Sequence, residues 1–379
     1  MLTSNTQIAQ PGEYTPNLPV ERLLEGIPRQ CGFLELQSRN IKNAATTRQF
    51  LKRIQPDFII AFGNDGVGFN VYEAVLQSDI PSLTWMGDTW LGQAWTDLPR
   101  YDAWIGLACG GNRTGPISVA KKALGFPGKA SGLHVGFHPS AYKPVCALSD
   151  YVLQRLIQAG APVSGKEKII PVILDNFFFD SDGNPVGHSG VRTRTLRALF
   201  VSRMEYLKGP DTAIRAVADA RKRGGNIHLT LAGFQMHAYQ NELETLAKEL
   251  GVHTNITWSG SPPNAELLRL YRNHDVFLFP SRINEGLGAV NCEALACGLP
   301  IIGTAHSGSA EVIQEGITGF RVSKDHPLEM SERLLYLDKN REVLEAMSQK
   351  VTDFSHKFHW THVISQFEAE MHRIIAEGG

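Results

Sequence analysis

One segment constrains the fold of this chain more than any other: positions 284–298, reading NEGLGAVNCEALACG. It lies between two apolar runs, at 276–279 and 299–302, which are short enough to be buried strands. The turn after the first run carries Glu285, and the residues that follow are suited to a short helix that Gly298 ends. Similar apolar runs alternate with amphipathic segments along the rest of the chain. The pattern predicts an α/β fold with parallel sheets.

The turn within this segment is suited to binding an anion. Free backbone N–H groups and the positive end of a helix point at one spot when a strand, a glycine turn and a helix follow in that order. Glu285 lies in the turn, and Glu293 lies about two helical turns further on. Two carboxylates so placed can hold hydroxyls at different depths of an elongated ligand while the turn holds its phosphates. A nucleotide sugar is such a ligand.

The same segment resembles the E-x7-E signature of retaining glycosyltransferases with the GT-B fold, most closely glycosyltransferase family 4. Other pieces similar to that family's motifs follow in register between about residues 146 and 365, at 200–203, 208–211, 231–233, 258–260, 306–311 and 318–320. The resemblance implies two Rossmann-like domains that face each other across a donor-binding cleft. It also implies an enzyme that retains the anomeric configuration of the sugar.

Two cations are expected to contact the donor diphosphate. Breaking the bond from sugar to phosphate places negative charge on the leaving group, which fixed cations or dipoles must stabilise. The resemblance assigns Arg203 and Lys208 to this role, although surface charge is the alternative for each. It assigns Glu285 to the sugar hydroxyls and Glu293 to the ribose. The implied donor site also includes Gly233, Gly286, Leu287 and Gly288.

The amino-terminal half departs from the family pattern. Its first thirty residues carry neither an apolar opening strand nor a Gly-Gly loop, so either the domain begins one βα unit late or the loop is replaced. Gly87 stands where the family's His-Asp segment has histidine, and only Asp88 is retained as a catalytic candidate. Trp90 and Trp95 are the candidates for stacking on the acceptor sugar.

Three segments are predicted. Residues 1–165 form an acceptor-side Rossmann-like domain with an atypical start, 166–353 the nucleotide-sugar-binding domain, and 354–379 a terminal helix that crosses back to the first domain.

The 379 residues carry a net charge of −1, so no global field favours nucleic acid. Five cysteines without a CxxC pair and the lack of a signal peptide or apolar span favour the cytoplasm, with peripheral contact to the inner face of a membrane left open.

No metal or cofactor is expected beyond the nucleotide sugar as co-substrate. Asp180-Ser181-Asp182 is a D-x-D, but it lies among turn-forming residues, and two oxygen donors are too few for a closed Mg²⁺ shell. His356, His359 and His362 are interpreted as solvated or packed side chains. Glu311 is either part of the donor site or the cap of a helix near Ser309.

Three functions remain open from the residues alone. The first is a retaining glycosyltransferase that moves a sugar from its nucleotide to a glycan, a lipid-linked acceptor or a small molecule. The second is a nucleotide-sugar isomerase on the same fold, which the E-x7-E register disfavours. The third is a catalytically silent binding protein, consistent with Gly87 and the missing Gly-Gly loop.

Overall fold

The computed structural model of the protein describes residues 2–4, 21–24, 33–62, 69–87, 144–158, 165–190, 193–234, 237–304 and 306–378. The chain divides into two compact units. Unit 1 comprises Met1–Leu148, Val152–Ile170 and Phe367–Gly379, and unit 2 comprises Ser149–Tyr151 and Pro171–Gln366. The domain boundaries proposed from the sequence stay predictions.

Unit 1 contains parallel strands only, within the residues described. Its elements are β1 (Leu2–Ser4), β2 (Glu21–Leu24), α1 (Phe33–Ile54), β3 (Ile59–Phe62), α2 (Phe69–Leu76), β4 (Ser82–Met86), β5 (Val145–Ala147), α3 (Asp150–Gln158, whose first two residues belong to unit 2) and β6 (Lys168–Ile169). The strands pair as β1-β2 and as a sheet in the order β3-β4-β5-β6. Leu83, Met86 and Cys146 are fully buried in this sheet.

Two short strands, Leu2–Ser4 and Glu21–Leu24, lie in the first thirty residues, where the sequence shows no apolar opening strand. Strands this short offer too few positions for an alternation of apolar and polar residues to be recognised. Their parallel pairing, which joins residues about twenty positions apart, stabilises them instead.

Unit 2 is built around a six-stranded parallel sheet. Its elements are β7 (Leu196–Val201), α4 (Pro210–Lys222), β8 (Ile227–Ala232), α5 (His237–Glu249), β9 (Ile256–Gly260), α6 (Asn264–Asn273), β10 (Val276–Phe279), α7 (Ala289–Ala296), β11 (Ile301–Thr304), β12 (Gly319–Val322), α8 (Pro327–Lys339), α9 (Arg341–Ser355) and α10 (Trp360–Ala376, shared with unit 1). The order across the sheet is β12-β11-β10-β7-β8-β9. With β7 counted as the first strand, this is the 3-2-1-4-5-6 order of a Rossmann fold. The prediction of an α/β fold with parallel sheets is confirmed.

The core of unit 2 explains its sequence pattern. All four residues of β10 are buried, as expected of a strand with both faces covered. α4 packs against α8 and buries Ala213 and Val217 fully, whereas its last-turn charges lie outside. Pro210 begins this helix, where a missing N–H costs no hydrogen bond.

The sequence predicts a single terminal helix over 354–379, but the structure has a break near the start of this segment. α9 ends at Ser355, a 3₁₀ turn spans His356–Phe358, and α10 begins at Trp360. Phe358 is fully buried, and its carbonyl accepts the N–H of Leu174 at 3.1 Å. This tertiary hydrogen bond takes the acceptor that a continuous helix would use, which explains the break. No helix within the described ranges has the length and apolar character of a membrane span.

A buried ionic cluster stabilises the start of β10. Asp275 is fully buried; it accepts hydrogen bonds from the backbone N–H and guanidinium of Arg197 at 2.8 to 3.2 Å, and His188 Nε2 lies 3.5 Å from it. Burial alone would raise the pKa of Asp275, but the hydrogen bonds from His188 and Arg197 and the charge of Arg197 outweigh it and hold the pKa well below its usual range.

We therefore expect the free energy of unfolding to fall with acidification partly through Asp275. A carboxyl whose pKa is depressed by folding stabilises the protein fully above its unfolded-state pKa of about 4, and this contribution is lost as pH falls below that value. Chemical denaturation of Asp275→Asn between pH 7 and pH 3 should show a shallower slope than the wild type. The exposed Asp353→Asn serves as control, and an unchanged slope in Asp275→Asn would contradict the linkage.

Candidate functional site

The strand order of unit 2 identifies where a ligand site is expected. Connections run in opposite directions on the two sides of the β7–β10 pair, so a crevice opens outside the carboxyl ends of these strands. The residues that follow β7 and β10 include Arg203, Lys208 and Glu285. The fold thus brings together loops that are about eighty positions apart in the chain.

The two loops interlock tightly. Gly209 has a φ of 73°, and a Cβ atom there would lie 2.2 Å from the carbonyl oxygen of Pro280. On the same side, Arg282 N–H donates to the carbonyl of Leu207 at 2.8 Å. Glycine is therefore the only residue type compatible with the backbone at position 209. This close approach fixes Lys208 relative to the loop after β10.

Lys208 and Glu285 form the ionic centre of the site. Lys208 Nζ donates a hydrogen bond to Glu285 Oε1, and the Ser281 hydroxyl lies 3.2 Å from the same oxygen. The two side chains are 14% and 18% exposed, so the pair is accessible to a ligand but largely shielded from water. A phosphate that engaged the ammonium group would release the carboxylate to accept hydrogen bonds from hydroxyls.

The glycine turn after Glu285 is held by a neighbouring loop. Gly308 N–H donates to the carbonyl of Glu285 at 3.0 Å, and a Cβ atom on Gly308 would lie 1.6 Å from the carbonyl oxygen of Gly286. The Ser149 hydroxyl donates to that same carbonyl of Gly286. These hydrogen bonds fix the carbonyls of Glu285 and Gly286, and Leu287 is buried.

Two helices begin at the site without a side-chain cap. α7 starts after Gly288, which has a φ of 75°, and α4 starts after Gly209. The first N–H groups of a helix have no intrahelical acceptor, and together with the helix dipole they attract negative charge. In α4, residue 210 is a proline and the N–H of Thr212 donates to the carbonyl of Gly209, so the arrangement provides a cation and the amino terminus of α7 around one crevice, which suits a diphosphate.

Glu293 lies deeper, on α7. Its Oε2 accepts a 2.8 Å hydrogen bond from the hydroxyl of Tyr271, which is fully buried. Burial raises the pKa of the Glu293 carboxyl, the negative charge of Asp175 raises it further, and the Tyr271 hydrogen bond opposes both. One carboxylate oxygen is thus anchored to the core of unit 2, and Oε1 remains to accept a ligand hydroxyl.

Arg203 and Gly233 have different surroundings from those the sequence suggested. The Arg203 side chain is half exposed, and its ion pair within the described part of the chain is with Glu205 at 2.8 Å. Gly233 has a φ of 135°, and a Cβ atom there would lie 1.9 Å from the carbonyl oxygen of Ser202. Gly233 is therefore needed for the close approach of the ends of β7 and β8. The predicted residues Asp88, Trp90 and Trp95 lie outside the described residues.

Sequence reasoning missed Arg282, which organises the loop after β10. Its guanidinium donates to both oxygens of Asp211, at 2.7 and 2.8 Å, and to Asp325 and the carbonyl of Tyr206. The guanidinium also lies 4.1 Å from the centre of the Tyr206 ring. Burial would raise the pKa of Asp211, but the hydrogen bonds and charge of Arg282 lower it. The sequence signal, an arginine directly after a buried strand, is too common to be distinctive.

Glu311 caps a helix, but a different one from the helix considered in the sequence. Its two carboxylate oxygens accept the N–H groups of Asp150 at 3.0 Å and Tyr151 at 2.7 Å, which begin α3. A carboxylate at a helix amino terminus is favourable because it pairs otherwise unsatisfied donors. The partners are 161 positions apart, so no local pattern could have indicated them.

Comparison with known proteins identifies the domain that carries this site. Residues 188–354 match the family model of "Glycosyl transferases group 1". A D-inositol 3-phosphate glycosyltransferase of Corynebacterium jeikeium is 33% identical over 176 residues, which are 45% of this chain and 42% of that protein. A GDP-mannose-dependent alpha-(1-6)-phosphatidylinositol monomannoside mannosyltransferase of Mycolicibacterium smegmatis is 31% identical over 184 residues, 46% of this chain and 47% of that protein. The matches thus span less than half of these relatives.

Solved structures share the fold over almost the whole chain. Sucrose-phosphate synthase from Thermosynechococcus elongatus has a TM-score of 0.70 at 16% identity, covering 100% of this chain and 89% of that one. HepE of Anabaena in complex with UDP and glucose has a TM-score of 0.64 at 18% identity, covering 94% and 86%. The predicted GT-B fold is confirmed, and residues 188–354 match the group 1 glycosyl transferase model.

Proposed function

We propose that the protein is a retaining glycosyltransferase of family 4 that transfers a hexosyl group from a nucleotide sugar to a hydroxyl of a glycan, a lipid-linked acceptor or a small molecule. The observation that carries the proposal is the Lys208–Glu285 pair at the β7–β10 crevice, between the amino termini of α4 and α7. Both residues lie within positions 188–354, which match the group 1 glycosyl transferase model.

Each group has a place in the chemistry. Lys208 and the amino terminus of α7 stabilise the charge that grows on the leaving diphosphate, without a metal ion. Glu285, once Lys208 engages phosphate, accepts hydrogen bonds from the donor sugar, and Glu293 accepts them from ribose. Arg203 gives up its ion pair with Glu205 and binds phosphate oxygens of the donor instead. Because its guanidinium is half exposed, breaking that ion pair costs little free energy.

The remaining parts of the proposal concern the acceptor. Residues 1–165 provide the acceptor side, with Asp88 near the reacting centre and Trp90 and Trp95 against the acceptor ring. The sequence relatives include a D-inositol 3-phosphate glycosyltransferase and a phosphatidylinositol monomannoside mannosyltransferase, so polyol and lipid-linked acceptors are the first to assay. A lipid-linked acceptor would bring the cytoplasmic protein to the inner face of a membrane.

A ligand panel followed by a turnover assay tests the proposal. Thermal shift with UDP, GDP and ADP should single out one base, since a ligand at about a hundred times its Kd adds about 2.7 kcal/mol. The matching nucleotide sugars are then incubated with acceptors, and NMR of the product should show the donor's anomeric configuration retained. An inverted linkage contradicts the retaining assignment. Product with the nucleotide still attached indicates an isomerase, and a shift without turnover indicates a binding protein.

Replacing Glu285 and replacing Glu293 should have different effects on ligand binding. Glu293→Ala should weaken binding of the free nucleoside diphosphate, whereas Glu285→Ala should mainly impair use of the intact donor. Tyr271→Phe removes one hydrogen bond to Glu293 and should weaken nucleotide binding by about 5- to 10-fold. Calorimetry measures all three, with the half-exposed Tyr336→Phe as control. Unchanged nucleotide affinity in Glu293→Ala would contradict the ribose assignment.

A further inference from the structure

A second recess occurs in unit 2 and shares no lining residue with the Lys208–Glu285 site. Segments 176–183 and 356–362 line it, and its volume is about 690 Å³. This volume falls within the range of small-molecule sites. We call it the histidine recess, after His356, His359 and His362. The proposed transfer reaction uses none of these residues.

One wall of the histidine recess is a rigid turn. Asp180 Oδ1 accepts the N–H groups of Asp182 and Asn184, both at 2.9 Å, and Asp180 N–H donates to the carbonyl of Asn184 at 2.8 Å. Gly183 has a φ of 80°, and a Cβ atom there would lie 3.2 Å from the His359 ring. The turn therefore holds its shape without a ligand and packs directly on the opposite wall.

The opposite wall is aromatic. The His359 ring makes an edge contact with Phe179, with ring centres 4.6 Å apart. It also lies 5.7 Å from the Trp360 ring, and its Nδ1 lies 2.7 Å from the Thr361 hydroxyl. Trp360 is 44% exposed although it is a large apolar side chain. An exposed indole supported by packed rings offers a flat apolar face at little cost in side-chain freedom.

The polar side chains around the Trp360 face include both hydrogen-bond donors and hydrogen-bond acceptors. Within the described parts of the chain, the side chains of Ser181, Asp182 and His362 make no hydrogen bond or ion pair with the protein. A sugar hydroxyl both donates and accepts, so it can use a carboxylate, a hydroxyl and an imidazole together. The apolar face of a pyranose ring suits the indole.

Other ligand classes fit the recess less well. Backbone hydrogen bonds, first that of Asn184, lower the pKa of Asp180, so the turn is anionic at neutral pH and disfavours phosphorylated ligands. Among the residues described, no three His, Cys, Asp or Glu side chains are grouped as a metal site requires.

We propose that the histidine recess binds a neutral saccharide, with one ring stacked on Trp360 and its hydroxyls bonded by Asp182, Ser181 and His362. Such a site would hold a glycan at a second place on the same unit that binds the donor. It does not depend on the proposed transfer reaction, because it involves no nucleotide and no catalytic group.

Ligand-observed NMR on the intact chain without nucleotide tests this site. The probes are maltotriose, cellotriose and mannotriose, with glucose 6-phosphate and glucosamine as charged counterparts. At least one neutral trisaccharide should bind, and Trp360→Ala and Asp182→Ala should each weaken it by about tenfold. Tyr336→Ala removes a ring that is 43% exposed, close to the exposure of Trp360, and should leave the affinity unchanged.

Three results would overturn the proposal. The first is that no neutral trisaccharide binds. The second is that a trisaccharide binds but Trp360→Ala leaves its affinity unchanged, which would place the sugar elsewhere. The third is that a charged probe binds more tightly than the neutral sugars and depends on the same residues. Loss of glycosyl transfer in other variants would not affect this readout, so the two proposals can fail separately.

Discussion

Replacing Lys208 by alanine is expected to lower the rate of sugar transfer by about 10²- to 10³-fold while leaving the fold intact. The ammonium group donates a hydrogen bond to Glu285 at the β7–β10 crevice, and removing one stabiliser of developing charge has an effect of this size. The two side chains are only 14% and 18% exposed, so the loss of the counter-charge of Glu285 should also lower stability somewhat. Steady-state kinetics and a thermal melt measure the two quantities on the same preparation.

The control for this variant is Lys222→Ala, at the exposed end of the helix that begins after Gly209. It removes the same charge from the same element and should keep wild-type kinetics. Arg203→Ala should lose about 10²-fold, because its guanidinium joins the diphosphate only when ligand is bound. A wild-type rate in Lys208→Ala would remove the central mechanistic claim.

Local elements of unit 2 were predictable because their signals lie within a few residues. The strand predicted over 276–279 has the same bounds in the structure, since a run of buried apolar residues marks it. The strand predicted at 299–302 begins two residues later, at Ile301. There the apolar run starts in the turn, where the carbonyl of Pro300 accepts the N–H of Phe277 before the strand proper begins.

The tertiary partners of the site were not predictable from one sequence. Arg282 and Asp211 are 71 positions apart, and Glu311 and Asp150 are 161 apart. Each has a residue type common on protein surfaces, and only the fold shows which of them are paired. Arg203 illustrates the converse, since its motif suggests a phosphate ligand whereas its side chain pairs with nearby Glu205. Motifs indicate which loops form the site, and the packing determines which side chains support it.

Arg282→Ala is expected to have the largest effect on stability, lowering the free energy of unfolding by about 3–5 kcal/mol. The Arg282 side chain is only 7% exposed, and its loss leaves the carboxylate of Asp211 without its counter-charge in a partly buried place. Transfer activity should fall as well, because the same guanidinium ties the carbonyl of Tyr206 and so holds the loop that carries Lys208. Lysine should not rescue, since it cannot reproduce the bidentate contact with Asp211.

Arg333 offers a matched control for this prediction. It too pairs with a carboxylate, that of Glu315 at 3.1 Å, and lies over an aromatic ring, that of Phe320 at 4.8 Å, but its side chain is 42% exposed. Arg333→Ala should therefore lower the free energy of unfolding by about 1 kcal/mol or less.

Urea denaturation of both variants, with Asp211→Asn and the Arg282→Ala/Asp211→Asn double variant, gives the coupling energy of the buried pair. The double variant should be more stable than the sum of the single losses predicts, because removing both partners leaves no uncompensated charge. Equal losses in Arg282→Ala and Arg333→Ala would show that burial of the cluster does not determine the stability of the loop.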